Sequence, residues 1–168
     1  HVVPAQGGDG FMVITCDSDP TAGGSLYYTD SLGSGCRLLV HSDRMVTAMA
    51  MLDLKTFAYA ETPAPGSCAT VIVRGKETII PLSANLVLFD MRFINDQSML
   101  LILAERDGLD RQTHLRRMVF WEFGRPMDAA PLDLITRRAA ISWSRTRLAI
   151  GHTGGVRVIN SRQRTVRN

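Results

Sequence analysis

Residues 85–123 read NLVLFDMRFINDQSMLLILAERDGLDRQTHLRRMVFWEF, and their patterning decides the fold class. NLVLFDMRFI (85–94) predicts a strand, NDQS (95–98) a polar turn and MLLILAE (99–105) a strongly apolar strand. Beyond the polar loop RDGLDRQTH (106–114), LRRMVFWEF (115–123) predicts a third strand. Short β-branched and aromatic runs broken by polar turns belong to antiparallel strands, not to helices. Side chains alternate along a strand, so Met118, Phe120 and Glu122 share one face and Val119, Trp121 and Phe123 the other. Both faces are largely apolar, as a strand covered on both sides requires. Trp121, and Trp143 further on, are expected in the core. Arg116 and Arg117 point opposite ways, which sends one of them to the surface.

The same grammar extends in both directions. FMVITC (11–16), SLYYT (25–29) and CRLLVH (36–41) read as strands, separated by the turn-rich DSDPTAGGS (17–25) and a second turn at 30–35. CATVIVR (68–74), the tight turn GKE (75–77) and TIIPL (78–82) follow the same pattern, and Pro81 makes the last of these an edge or terminal strand. Downstream, LDLITR (132–137), AAISWS (139–144), RLAIGH (147–152) and VRVIN (156–160) are further strands. Residues 44–60 admit two readings. RMVTAMAMLDL suits a helix by its Ala, Met and Leu content. It equally suits a strand over 44–51, a turn at 52–55 and a strand over 56–61, the reading that keeps the pattern of the rest.

The expected fold is therefore all-β, with sandwich, barrel and propeller as the available architectures. Units of about 40 residues recur at 11–41, 44–82, 85–123 and 132–160, the period of propeller blades, ahead of a basic tail at 161–168. The expectation is a partial β-propeller of about four blade-like units, few for a typical ring of roughly seven. The chain opens HVVPAQGG, without an initiator Met or a leader pattern, and is read as a piece of a longer protein.

Composition narrows the function classes. Of the 168 residues, 45% are hydrophobic and 21% charged, which argues for a packed core and against disorder. No apolar run approaches the ~18 residues of a membrane-spanning helix. The net charge of +3 is unevenly laid out: residues 137–168 hold eight Arg and no acid, leaving −5 on the first 136. Those Arg are interleaved with apolar residues, which suits a solvated face or a surface for acidic proteins better than nucleic acid. Cys16, Cys36 and Cys68 form no metal-ligand spacing and are odd in number, so each is expected as a small core residue in a reducing, intracellular setting.

LKTFAYAE (54–61) and residues 85–123 resemble the C-terminal region of the anaphase-promoting complex subunit 4 family. The resemblance rests on Asp90, Arg92, Phe93, Asn95 and Asp96 as a strand and turn, 99–103 as an apolar strand, 106–111 as a charged glycine-containing loop, and 116–123 as a basic-then-apolar strand. RLAIGHTGGVRVIN (147–160) resembles the family's closing strand pair, with Ile159 where the family has an aromatic residue. The resemblance covers about half of the chain. It implies a WD40-like propeller interrupted by a helical domain, with this segment supplying the last blades. It further implies a scaffold subunit of a multi-subunit, cell-cycle ubiquitin ligase, located in nucleus and cytoplasm and without catalytic residues of its own. Its partners would be the other subunits and the preceding blades of the same protein.

No metal, cofactor or catalytic set is expected from the residues. The contact candidates are Arg106, Arg111, Arg116 and Arg117 in the third unit, and Arg157, Arg162, Arg164 and Arg167 at the end. Two alternatives stay open. One is an all-β Ser or Cys hydrolase with a nucleophile within 31–36 and His41 as its base. The other is an Arg-rich nucleic-acid-binding β domain.

Overall fold

The computed structural model describes residues 2–5, 10–16, 23–30, 32–63, 68–76, 78–83, 86–105, 116–125, 138–141, 147–152 and 155–160. Every regular element among them is a strand. Four antiparallel sheets are each drawn from consecutive strands in meander order. The first comprises β1 (Val2–Pro4), β2 (Gly10–Cys16), β3 (Gly24–Asp30) and β4 (Cys36–Ser42). The second comprises β5 (Met45–Met51), β6 (Phe57–Thr62), β7 (Thr70–Arg74) and β8 (Thr78–Pro81). β9 (Leu86–Asn95), β10 (Ser98–Glu105) and β11 (Arg116–Glu122) form the third. β12 (Arg138–Ile141), β13 (Arg147–His152) and β14 (Gly155–Asn160) form the fourth. Small meander sheets in succession are the building plan of propeller blades, so the chain is all-β with the organisation of a partial propeller.

Two compact units divide the chain, His1–Leu88 and Phe89–Asn168. In the first, the first two sheets share one core. Met12, Ile14, Leu26 and Val40 from the first sheet pack with Val46, Met49, Met51, Phe57 and Tyr59 from the second. Two polar links tie the same sheets together. Ser42 Oγ donates to Glu61 Oε2 at 2.7 Å, and Arg44 pairs with the same carboxylate at 3.8 Å.

Helix propensity loses at residues 45–62. Met49, Met51, Phe57 and Tyr59 alternate onto the shared core, while Ala48, Ala50, Ala58 and Ala60 line the opposite face, and all eight are buried. Burial of both faces outweighs the few tenths of a kcal/mol per residue that Ala and Met favour a helix. Asp53 closes the hairpin: its Oδ1 accepts from the backbone N–H of Lys55 at 2.8 Å and of Thr56 at 2.7 Å. Gly75 makes the next hairpin possible. Its φ is +83°, and a Cβ there would collide with the Lys55 carbonyl oxygen.

In the second unit, β10 is the central strand of its sheet. Met99, Leu101 and Leu103 on one side, and Leu100 and Ile102 on the other, are all buried. Trp121 on β11 is buried as its alternation requires. Its indole N–H donates to the Arg125 carbonyl at 3.3 Å, and its ring meets Phe123 edge-on at 4.9 Å. Phe123 in turn meets Phe93 of β9 edge-on at 6.3 Å. Trp143 lies outside the described residues.

Candidate docking face

The first and second sheets differ in a way that marks a surface. Residues 48–51 and 57–60 of the second sheet are buried on both faces, whereas the first sheet is buried on one. Register shows what the other face of the first sheet holds. Val2 opposes Val13 and Pro4 opposes Phe11; Val13 opposes Tyr27, and Tyr27 opposes Leu38. Opposed residues in an antiparallel ladder share a face, so these side chains form one apolar surface turned away from the core. Val2 is 58%, Phe11 40% and Leu38 51% exposed, whereas Met12 and Leu26 on the opposite face are fully buried. Of the tyrosine pair, Tyr28 packs against the core and Tyr27 lies on the outer face. Irregular register beside Leu26 and Tyr27 places Leu39 against the core between outward Leu38 and inward Val40.

The same outer face holds a polar pair. Ser25 on β3 and His41 on β4 are directly opposed, with Ser25 Oγ 3.0 Å from His41 Nδ1. That is the reach a serine nucleophile and its base need. The pairing differs from the one read from the sequence, in which His41 served a nucleophile within 31–36: Cys36 opposes Thr29, near the other end of the same strand. Among the described residues no acid meets Nε2 of His41, and the pair sits within the β2–β3–β4 ladder, where the neighbouring backbone amides are engaged. The arrangement is an exposed cross-strand hydrogen bond.

At the rim of this sheet, Asp30 organises the β3–β4 turn. Its carboxylate accepts from Ser34 Oγ at 2.7 Å and from Ser34 N–H at 2.9 Å, and these bonds hold its pKa below the ordinary carboxylate value. Asp90 on β9 is shifted the other way. Burial raises its pKa, and Arg92, at 3.2 Å, offsets part of the rise. Among the described residues, no group of three or more His, Cys, Asp or Glu is placed to hold a metal ion. No helix among them is long and apolar enough to cross a membrane.

The expected arginines are only partly placed. Arg116 and Arg117 lie on β11, in register with Ala104 and Leu103 of β10. Arg157 lies on β14 opposite Ile150. Arg106, Arg111, Arg162, Arg164 and Arg167 fall outside the described residues. Two cysteines are corrected: Cys36 and Cys68 are exposed free thiols, not core residues. Cys36 opens β4 on the outward side, and Cys68 precedes β7, where it has no place in the ladder. Sequence reasoning missed β1 and the outer apolar face. FMVITC is apolar at both parities, a signal for two apolar faces, but parity alone does not say which face is covered.

No family model and no curated protein sequence matches the chain. Solved structures that align with the chain at low identity include the following two. TolB from Acinetobacter baumannii aligns with a TM-score of 0.41 and 12% identity over 90% of this chain and 50% of its own. The N-terminal domain of Nup159 aligns with a TM-score of 0.40 and 10% identity over 97% of this chain and 60% of its own. The chain thus spans about half the length of the former.

Proposed function

We propose that this chain is a non-catalytic interaction scaffold whose partner-facing surface is the outer face of the first sheet. One observation carries the reading. The first sheet leaves Val2, Phe11 and Leu38 in water on one face, whereas residues 48–51 and 57–60 of the second sheet are buried on both. The chemistry that fits such a face is another β-sheet with an apolar surface.

A finer reading draws on the resemblance to the anaphase-promoting complex subunit 4 family. The chain then serves in a multi-subunit ubiquitin ligase in nucleus and cytoplasm. Arg106, Arg111, Arg116, Arg117, Arg157, Arg162, Arg164 and Arg167 meet acidic surfaces of neighbouring subunits, setting orientation more than affinity.

Hydrogen exchange on the chain alone and in its native assembly tests the coarser reading. Amides of β2–β4 gain protection in the assembly; unchanged exchange there refutes it. Co-purification of ubiquitin-ligase subunits with the tagged protein from its own cells tests the finer one. Arg-to-Glu changes at the eight positions weaken that association, and a wash in about 0.5 M salt loosens it; indifference to both removes the arginines from the interface.

A further inference from the structure

Register sorts the outer face of the first sheet into rows that run across its strands. Thr15, Ser25 and His41 form one row, and Val13, Tyr27 and Leu38 form the next. His41 therefore borders the apolar surface, one row away from Leu38. Ser25 Oγ, 3.0 Å from Nδ1, anchors the ring against β3 and leaves Nε2 on its far side. The bond tolerates a change of charge. The hydroxyl can donate to Nδ1 of a neutral ring and accept from Nδ1–H of a protonated one.

Formal charge is otherwise missing from this face. Among the described residues, no Asp, Glu, Lys or Arg occupies an outward ladder position of β1–β4. The other titratable side chains there are Tyr27 and Cys36, a phenol and a thiol, and neither gains a charge on acidification. Arg37 opposes Tyr28 on the core side of the sheet. Asp43 and Arg44 follow the last ladder pair, Gly24–Ser42, and Arg44 pairs with Glu61 of β6. Imidazole is the side chain that takes up charge between about pH 5 and 8. Among the described outward groups of this sheet, His41 alone can place a positive charge on the apolar face as pH falls.

We infer that His41 controls docking on the outer face of the first sheet: the face holds an uncharged, apolar partner sheet while the imidazole is neutral, and acidification releases that partner. This rests on the reading of the first sheet as a docking face and adds its regulation. An imidazolium closed into a dry contact loses its water and finds no carboxylate among the described side chains of its own face. The same lack of charge sets the partner's chemistry. An acidic or basic surface laid on this face would be desolvated with nothing to pair with.

A contact that excludes one proton weakens about tenfold between about pH 7.5 and pH 5.5. Hydrogen exchange of the β2–β4 amides in the native assembly reads this, as protection relative to the chain alone at the same pH. The whole chain is compared as wild type, as His41→Gln, neutral at both pH values, and as His41→Lys, charged at both. His41 is exposed, and circular dichroism checks the fold of each variant. Wild type is expected to gain protection at pH 7.5 and to lose about tenfold of it at pH 5.5. His41→Gln keeps its protection at both, and His41→Lys lacks it at both.

Wild-type protection that persists at pH 5.5 overturns the switch while the first sheet remains a docking face. An equal loss in wild type and His41→Gln also overturns it, because another group then titrates. Full protection of His41→Lys does the same, because the contact then accepts a charge at this position. Absence of protection at pH 7.5 in wild type and His41→Gln refutes the docking reading itself, and the switch with it.

Discussion

Leu26 and Leu38 lie on neighbouring strands of the first sheet and on opposite faces, so truncating each in turn measures how one-sided that sheet is. Leu26 is fully buried among Met12, Val40 and the second-sheet residues of the shared core. Leu26→Ala removes buried methyl groups and leaves a cavity in packed surroundings, a loss of about 2–5 kcal/mol. Leu38 is half exposed. Leu38→Ala leaves no enclosed cavity and forfeits only part of the ~1.5–3 kcal/mol that full burial of Leu provides, so about 1 kcal/mol is expected. Urea denaturation reads both. With a slope of about 2 kcal/mol/M, Leu26→Ala lowers the midpoint by about 1–2.5 M and Leu38→Ala by about 0.5 M. Equal losses would refute the argument, because they would mean that both faces of the first sheet are packed within a single chain.

Gly75→Ala forces a Cβ onto the Lys55 carbonyl at a positive φ, and a loss of about 2 kcal/mol in urea denaturation is expected, well above that of an exposed Gly→Ala elsewhere. The folded-state pKa of Asp30 is lowered, so its contribution is present above the ordinary carboxylate range and lost as pH falls through the folded value. The stability gap between wild type and Asp30→Asn therefore closes on acidification, and a pH series of denaturation midpoints shows it. Asp90 has the opposite sign. Its pKa is raised, so wild type gains on Asp90→Asn as pH falls from neutral into the carboxylate range. A fluorophosphonate probe is expected to leave Ser25 unlabelled, and labelling abolished by His41→Ala would instead establish the Ser25–His41 pair as a nucleophile and its base.

Among the elements that sequence alone made legible are those whose two faces are both apolar. MLLILAE became β10, buried on both sides, and MVFWEF placed Trp121 in the core, because alternation is a local property that tertiary context can only confirm or cover. The hairpin of 45–62 was legible as one of two readings. Asp53 was the local signal for the turn, and burial of Ala and Met on opposite faces settled the choice. β1 was illegible, since three residues ending in proline carry no periodicity and acquire strand geometry only by pairing with β2. Cys36 and Cys68 were misread because a small apolar residue is buried by its neighbours and not by its own character.

Sequence by itself determined that this protein is built from short antiparallel strands, for β propensity, polar turns and alternation act over a few residues. It also determined the charge asymmetry between the two ends, which needs only counting. The tertiary structure alone decided which apolar face lies in the core and which meets water. Met12 and Phe11 are equally hydrophobic neighbours on one strand, and only the presence of the second sheet on one side separates them. The candidate docking face exists because of that one-sidedness, a property of what packs on the first sheet rather than of the residues that compose it.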